Sequence, residues 1–83
     1  MFKVFIEEKV SKELDKLPNK LKNNITKKLK ILEKGFSYAL DIKKLKSYQN
    51  HYRLRVGKFR ILFYLENTNI IVYRIGKRES VYE

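Results

Sequence analysis

The chain of 83 residues contains no cysteine, which excludes a disulfide framework, a thiolate metal site and a thiol nucleophile. Proline occurs once, at Pro18, histidine once, at His51, and glycine three times, at Gly35, Gly57 and Gly76. No Gly-rich phosphate loop, zinc-ligand spacing or acidic metal cage is present, which argues against two-metal nucleases and nucleotide-dependent enzymes. No apolar run approaches the roughly 18 residues of a spanning helix, and the N-terminus lacks the apolar core of a signal peptide. The expectation is therefore a cytoplasmic protein with no membrane partner. Any catalysis must come from oxygen and nitrogen side chains, with no metal and no small-molecule cofactor.

Positive charge is abundant. Against 9 Asp+Glu stand 20 Lys+Arg, giving a formal charge of +11 and a pI near 10.0. Such self-repulsion points to an anionic partner, and nucleic acid leads an anionic membrane surface or a small acidic protein on charge alone. A hydrophobic content of 43%, with 13% aromatic residues, is too high for a disordered basic tail. The length predicts one domain over residues 1–83, with a single modest core.

Phe2-Lys3-Val4-Phe5-Ile6 is short, aromatic and β-branched and reads as a strand. Val10, Leu14 and Leu17 then recur at helical spacing, predicting a short amphipathic helix over about Glu7 to Leu17. Pro18 stops that helix and can open the next, in which Leu21, Ile25, Leu29 and Leu32 form one apolar stripe from about Asn19 to Lys34. The lysines of this second helix read more simply as a solvated face than as a backbone-tracking surface. Residues 35–50 settle on no single period, and one helical turn around Asp41 to Leu45 is the expectation there. Ile70-Ile71-Val72-Tyr73-Arg74-Ile75 is nearly continuously apolar and predicts a strand buried on both faces.

The stretch between His51 and Tyr64 organises the rest. Tyr52, Leu54 and Val56 alternate with Arg53 and Arg55, Gly57-Lys58 suits a type II′ turn, and Phe59, Ile61 and Phe63 continue the apolar face. Arg55 is then placed opposite Arg60, and Arg53, Arg55 and Arg60 share the other face. Opposed like charges cost a few tenths to about 1 kcal/mol per pair, so a polyanion is the simplest reason for them. The predicted fold is α+β, in the order β-α-α-β-β-β, with an antiparallel sheet and two helices packed on one face. Lys77 and Arg78 leave the last strand near Arg60 and Arg55, and Val81 could carry Tyr82 back over the arginines.

Arginine binds phosphate bidentately, so such a cluster can neutralise a scissile phosphate and its transition state. Tyr52, Tyr64, Tyr73 and Tyr82 offer stacking surfaces or, for the first three, core aromatics. RNA carries its own nucleophile, the 2′-OH, and so suits a protein without a metal. The general base and acid stay open. Arginine is a poor base, its pKa lying above about 12, and Tyr82 is a possible acid or base. His51 reads as a surface histidine at a strand start, and Glu79 and Glu83 as solvated charges.

The two helices, Tyr52-Arg53-Leu54-Arg55-Val56-Gly57, Phe59-Arg60-Ile61-Leu62-Phe63 and the ending Ile75-Gly76-Lys77-Arg78 with Val81-Tyr82 together resemble the RelE/ParE toxin superfamily, most closely its RelE branch. The resemblance covers nearly the whole chain. It implies a type II toxin that cleaves messenger RNA in the ribosomal A site and is neutralised by a small cognate antitoxin of the RelB kind. By position it assigns Arg53, Arg55, Arg60 and Arg78 to the scissile phosphate and Tyr82, the fifth catalytic candidate, to a place near the nucleotide; Lys46, Lys58 and Lys77 are expected as further RNA contacts. The sequence has arginine at positions 53 and 55, where RelE proteins often have lysine, and the segment from Arg78 to Tyr82 is short. The alternatives are a ParE-like, non-enzymatic gyrase inhibitor and an RNA-binding module without chemistry.

Overall fold

The computed structural model describes residues 1–46 and 48–77. In β1 (Lys3–Ile6), Val4 and Ile6 turn towards the interior while Lys3 and Phe5 stay exposed, the alternation of a half-covered strand. In α1 (Glu8–Asp15), Val10 and Leu14 are buried one turn apart, with acidic Glu8 at the positive end of the helix dipole. Pro18, at φ −55° and ψ 144°, is the extended residue just before α2 (Asn19–Leu32). It therefore sits one place outside the first helical turn. Ile25, Leu29 and Leu32 form the buried stripe of α2, as their spacing requires.

Four more strands follow: β2 (Asp41–Lys44), β3 (His51–Val56), β4 (Phe59–Glu66) and β5 (Asn69–Lys77). The sheet order is β1-β5-β4-β3-β2, with β1 parallel to β5 and every other pair antiparallel. Two expectations change here. The sheet is mixed, because the chain crosses the sheet through the helices before β5 arrives beside β1, a connection that parallel pairing requires. And β2 takes the place of the expected helical turn: it is an edge strand in which Ile42 alone faces inward, too little for a period of two to show.

The helices cover one face, α1 over β5 and α2 over β3. Under them Leu54, Val56, Ile61, Phe63, Ile70, Val72 and Ile75 join Val10, Leu14, Ile25, Leu29, Leu32 and Leu40 in one core. Phe63, at 0% exposure, lies at its centre. Its ring stacks with Tyr52 at 5.5 Å and meets Phe36 edge-on at 5.9 Å, so Tyr52 is a core aromatic.

β5 is buried on one face only. Its inward residues are Ile70, Val72 and Ile75, while Ile71 and Tyr73 are half-covered and Arg74 is exposed. The step of three between Val72 and Ile75 comes from a bulge: Phe63 pairs with Val72 but Leu62 with Arg74, leaving Tyr73 unpaired. The sequence reads as a nearly unbroken apolar run because Ile71 and Tyr73 on the other face are half-covered as well.

The hairpin has the predicted register, Val56 opposite Phe59 and Arg55 opposite Arg60. Gly57 takes φ +60° and a Cβ added there would meet nothing within 4 Å. Gly57→Val should thus destabilise only through backbone strain, by about 1–2 kcal/mol, read from urea melts. A cost near zero would contradict the turn geometry.

Candidate active site

The face of the sheet away from the helices carries the charge. Alternation along the strands puts Asp41, Arg55, Arg60 and Gly76 in one cross-strand row and Lys43, Arg53, Leu62 and Arg74 in the next. Arg53, Arg55 and Arg60 converge on a cleft of about 360 Å³, completed by Lys43, Lys44, Leu45 and Lys46 from β2 and the residues after it. Three strands therefore supply five cations to one concavity, and Lys46 after β2 adds a sixth. Burial and low dielectric walls make such a field stronger than the same charges spread over a surface.

The three arginines are not equivalent. Arg53 is the buried one, at 9% exposure, with its Nη1 3.3 Å from Oδ1 of Asp41. Its partner carboxylate is more than half exposed, so the pair orients Arg53 more than it stabilises the fold. Leu62, directly opposite Arg53, is 3% exposed on a face no helix covers, as expected when an arginine stem lies over an apolar neighbour. Arg55 is exposed and Arg60 half-buried. Neither takes part in an ion pair among the described residues, which leaves two guanidinium groups, from facing positions of a hairpin, available to an anion.

Of the other residues expected at the site, Lys46 lines the cleft. Lys58 lies exposed at the hairpin turn, and the Lys77 ammonium sits 5.7 Å over the Phe59 ring. Neither is among the residues lining the cleft. Arg78 and Tyr82 fall outside the described residues. Lys43 and Lys44 were not singled out from the sequence, because their strand was not recognised. Nor was the setting of His51, which is half-buried among tyrosines and shares a hydrogen bond of 2.9 Å between its Nδ1 and the Tyr73 hydroxyl. Burial, and then the neighbouring Tyr48, push the Tyr73 phenol above its ordinary value of 10.0, partly opposed by Arg74. Among the described residues, no group of three His, Cys, Asp or Glu side chains could hold a metal ion, and no helix is long and apolar enough to cross a membrane.

Known proteins are similar to this chain in sequence and in fold. Residues 4–82 match the model for the ParE toxin of type II toxin–antitoxin system, parDE. The toxin RelE3 of Methanocaldococcus jannaschii is 48% identical over 44 residues, 53% of this chain and 50% of that protein, so the match spans half the relative's length. RelE1 of the same organism is 33% identical over 89 residues, covering 99% of this chain and 96% of that one. The crystal structure of the RelB–RelE antitoxin–toxin complex from Methanococcus jannaschii is similar with a TM-score of 0.78 and 31% identity, over 94% of each chain. The chain thus belongs to the ParE toxin family of type II toxin–antitoxin systems, and within it is a RelE-like toxin.

Proposed function

We propose that this RelE-like toxin is a ribosome-dependent endoribonuclease that cuts messenger RNA in the A site. The observation that carries the reading is the convergence of Arg53, Arg55 and Arg60 on one cleft with three lysines at its rim. In the proposed reaction the 2′-oxygen of one nucleotide attacks the adjacent phosphorus as its proton is removed. A 2′,3′-cyclic phosphate forms, the bond from phosphorus to the 5′-oxygen breaks, and that oxygen takes up a proton. Negative charge grows on the non-bridging oxygens along the way. In this reading Arg55 and Arg60, side by side across the hairpin, meet it, and fixed donors of this kind cost no reorganisation during the reaction. Arg53, held by Asp41, gives the cleft a positive floor. Arg78 and Tyr82 complete the proposed set, the tyrosine near the nucleotide.

The same open basic face suits an acidic, amphipathic antitoxin. The RelB partner in the similar complex supports a small RelB-like antitoxin for this chain as well. Induction of the toxin followed by mapping of 5′ ends tests the activity: new ends should fall within translated frames and disappear when translation is blocked. A ParE-like gyrase inhibitor would instead yield cleaved gyrase–DNA complexes without ribosomes, and a simple RNA binder would produce no ends at all.

A further inference from the structure

The helix-free face carries a second cluster that the arginine chemistry does not use. The His51 ring stacks on Tyr64 at 5.4 Å and 27°, meets Tyr73 edge-on at 5.4 Å and lies 5.3 Å from Tyr48. Tyr64 and Tyr73 are 5.8 Å apart. Tyr73 is the unpaired residue of the β5 bulge, so the cluster exists because the ladder gives up one position to it. Bulges of this kind re-aim a side chain and occur often beside functional sites. None of these rings belongs to the core under the helices, and His51, Tyr64 and Tyr73 each keep part of their surface open to solvent.

The position of the cluster matters as much as its composition. His51 is two residues along β3 from Arg53 and four from Arg55; Tyr64 is four residues along β4 from Arg60. At about 3.3 Å per residue the rings stand roughly 13 Å from Arg55 and Arg60 of the cleft, on the same face. A polyanion lying in the cleft must leave it in some direction, and this one offers flat rings bordered by Arg53 and Arg74.

We propose that His51, Tyr64 and Tyr73 form a stacking platform for a nucleobase of single-stranded RNA, flanking the phosphate held by Arg55 and Arg60. The inference rests on the endoribonuclease reading, and its test separates the two. A cationic groove that tracks the backbone beside aromatic planes that take the bases is the general design of single-strand recognition. The hydrogen bond between His51 and Tyr73 fixes the ring planes before RNA arrives, which lowers the ordering cost of binding. Stacking of this kind tolerates any base, so the platform holds the strand in register without choosing its sequence.

The test titrates the full chain with a fluorescent RNA whose 2′-hydroxyls are methylated so that it cannot be cut, moving one abasic nucleotide along the strand. One position should weaken binding about tenfold, the usual worth of a stacked base. Tyr64→Leu should weaken the intact strand by a similar factor yet add nothing to the loss from that abasic strand, whereas Tyr64→Phe should bind as the wild type does. Thermal melts of each variant report folding. A flat abasic scan, or losses that simply multiply, overturns the platform. So does a Tyr64→Leu variant that binds RNA normally but no longer binds a RelB-like antitoxin, which would make this face a protein surface. Cleavage by programmed ribosomes together with a flat scan removes the platform alone; a coupled scan in a protein that never cuts supports the platform and removes the endoribonuclease reading.

Discussion

If the proposed activity holds, Arg60→Ala should slow messenger cleavage in a reconstituted translation reaction by at least about 10²-fold, the usual cost of removing one preorganised donor to a developing anion. The same variant melts at or slightly above the wild-type temperature. Arg60 is in no ion pair among the described residues and stands directly opposite Arg55, so its removal relieves a repulsion worth a few tenths to about 1 kcal/mol. Lost activity with retained or improved stability separates a residue kept for an external anion from one kept for the fold. Intact cleavage, or a large fall in melting temperature, would contradict the role given to this arginine.

Phe63→Ala has the opposite signature. Phe63 is fully buried between Tyr52 and Phe36, at the point where the central strand meets the core, and truncating such a ring costs about 3–5 kcal/mol. For a chain of this size each kcal/mol moves the midpoint by about 4–8 °C, so the melting temperature should fall by roughly 12–40 °C. Against a total stability of about 5–15 kcal/mol, that removes a large share of the margin, and toxicity should fall as the folded population shrinks. Phe63→Leu, which leaves a smaller void, should lose far less. A drop under about 5 °C for Phe63→Ala would place the core elsewhere.

These two residues show what the sequence discloses and why. Around Gly57 the alternation is strict and the turn is two residues long, so the register, the buried face of Phe63 and the arginine face followed from the pattern alone. Both helices were equally legible, since Val10 and Leu14, and Ile25, Leu29 and Leu32, repeat at helical spacing. Strand β2 was not. It is four residues long, lies at the sheet edge and turns only Ile42 inward, so neither its own period nor its lysines announced it. With β2 unseen, Asp41 could not be recognised as the partner of Arg53, and three apparently equivalent arginines became one oriented residue and two available ones. The His51 cluster was hidden by a different cause. A bulge breaks the period of two at Tyr73, so which face that tyrosine joins is decided by pairing between strands, and no local pattern carries it.

The most direct test of the central claim, that the cleft presents arginines to a phosphodiester whose own 2′-OH is the nucleophile, replaces one oxygen. Ribosomes are programmed with messenger RNA carrying a single 2′-deoxynucleotide on the 5′ side of the mapped cut, and cleavage is followed with and without the toxin. The account predicts no cut at the deoxy position, and a 2′,3′-cyclic phosphate end on the unmodified message. Equal cutting of the deoxy and unmodified messages would contradict it.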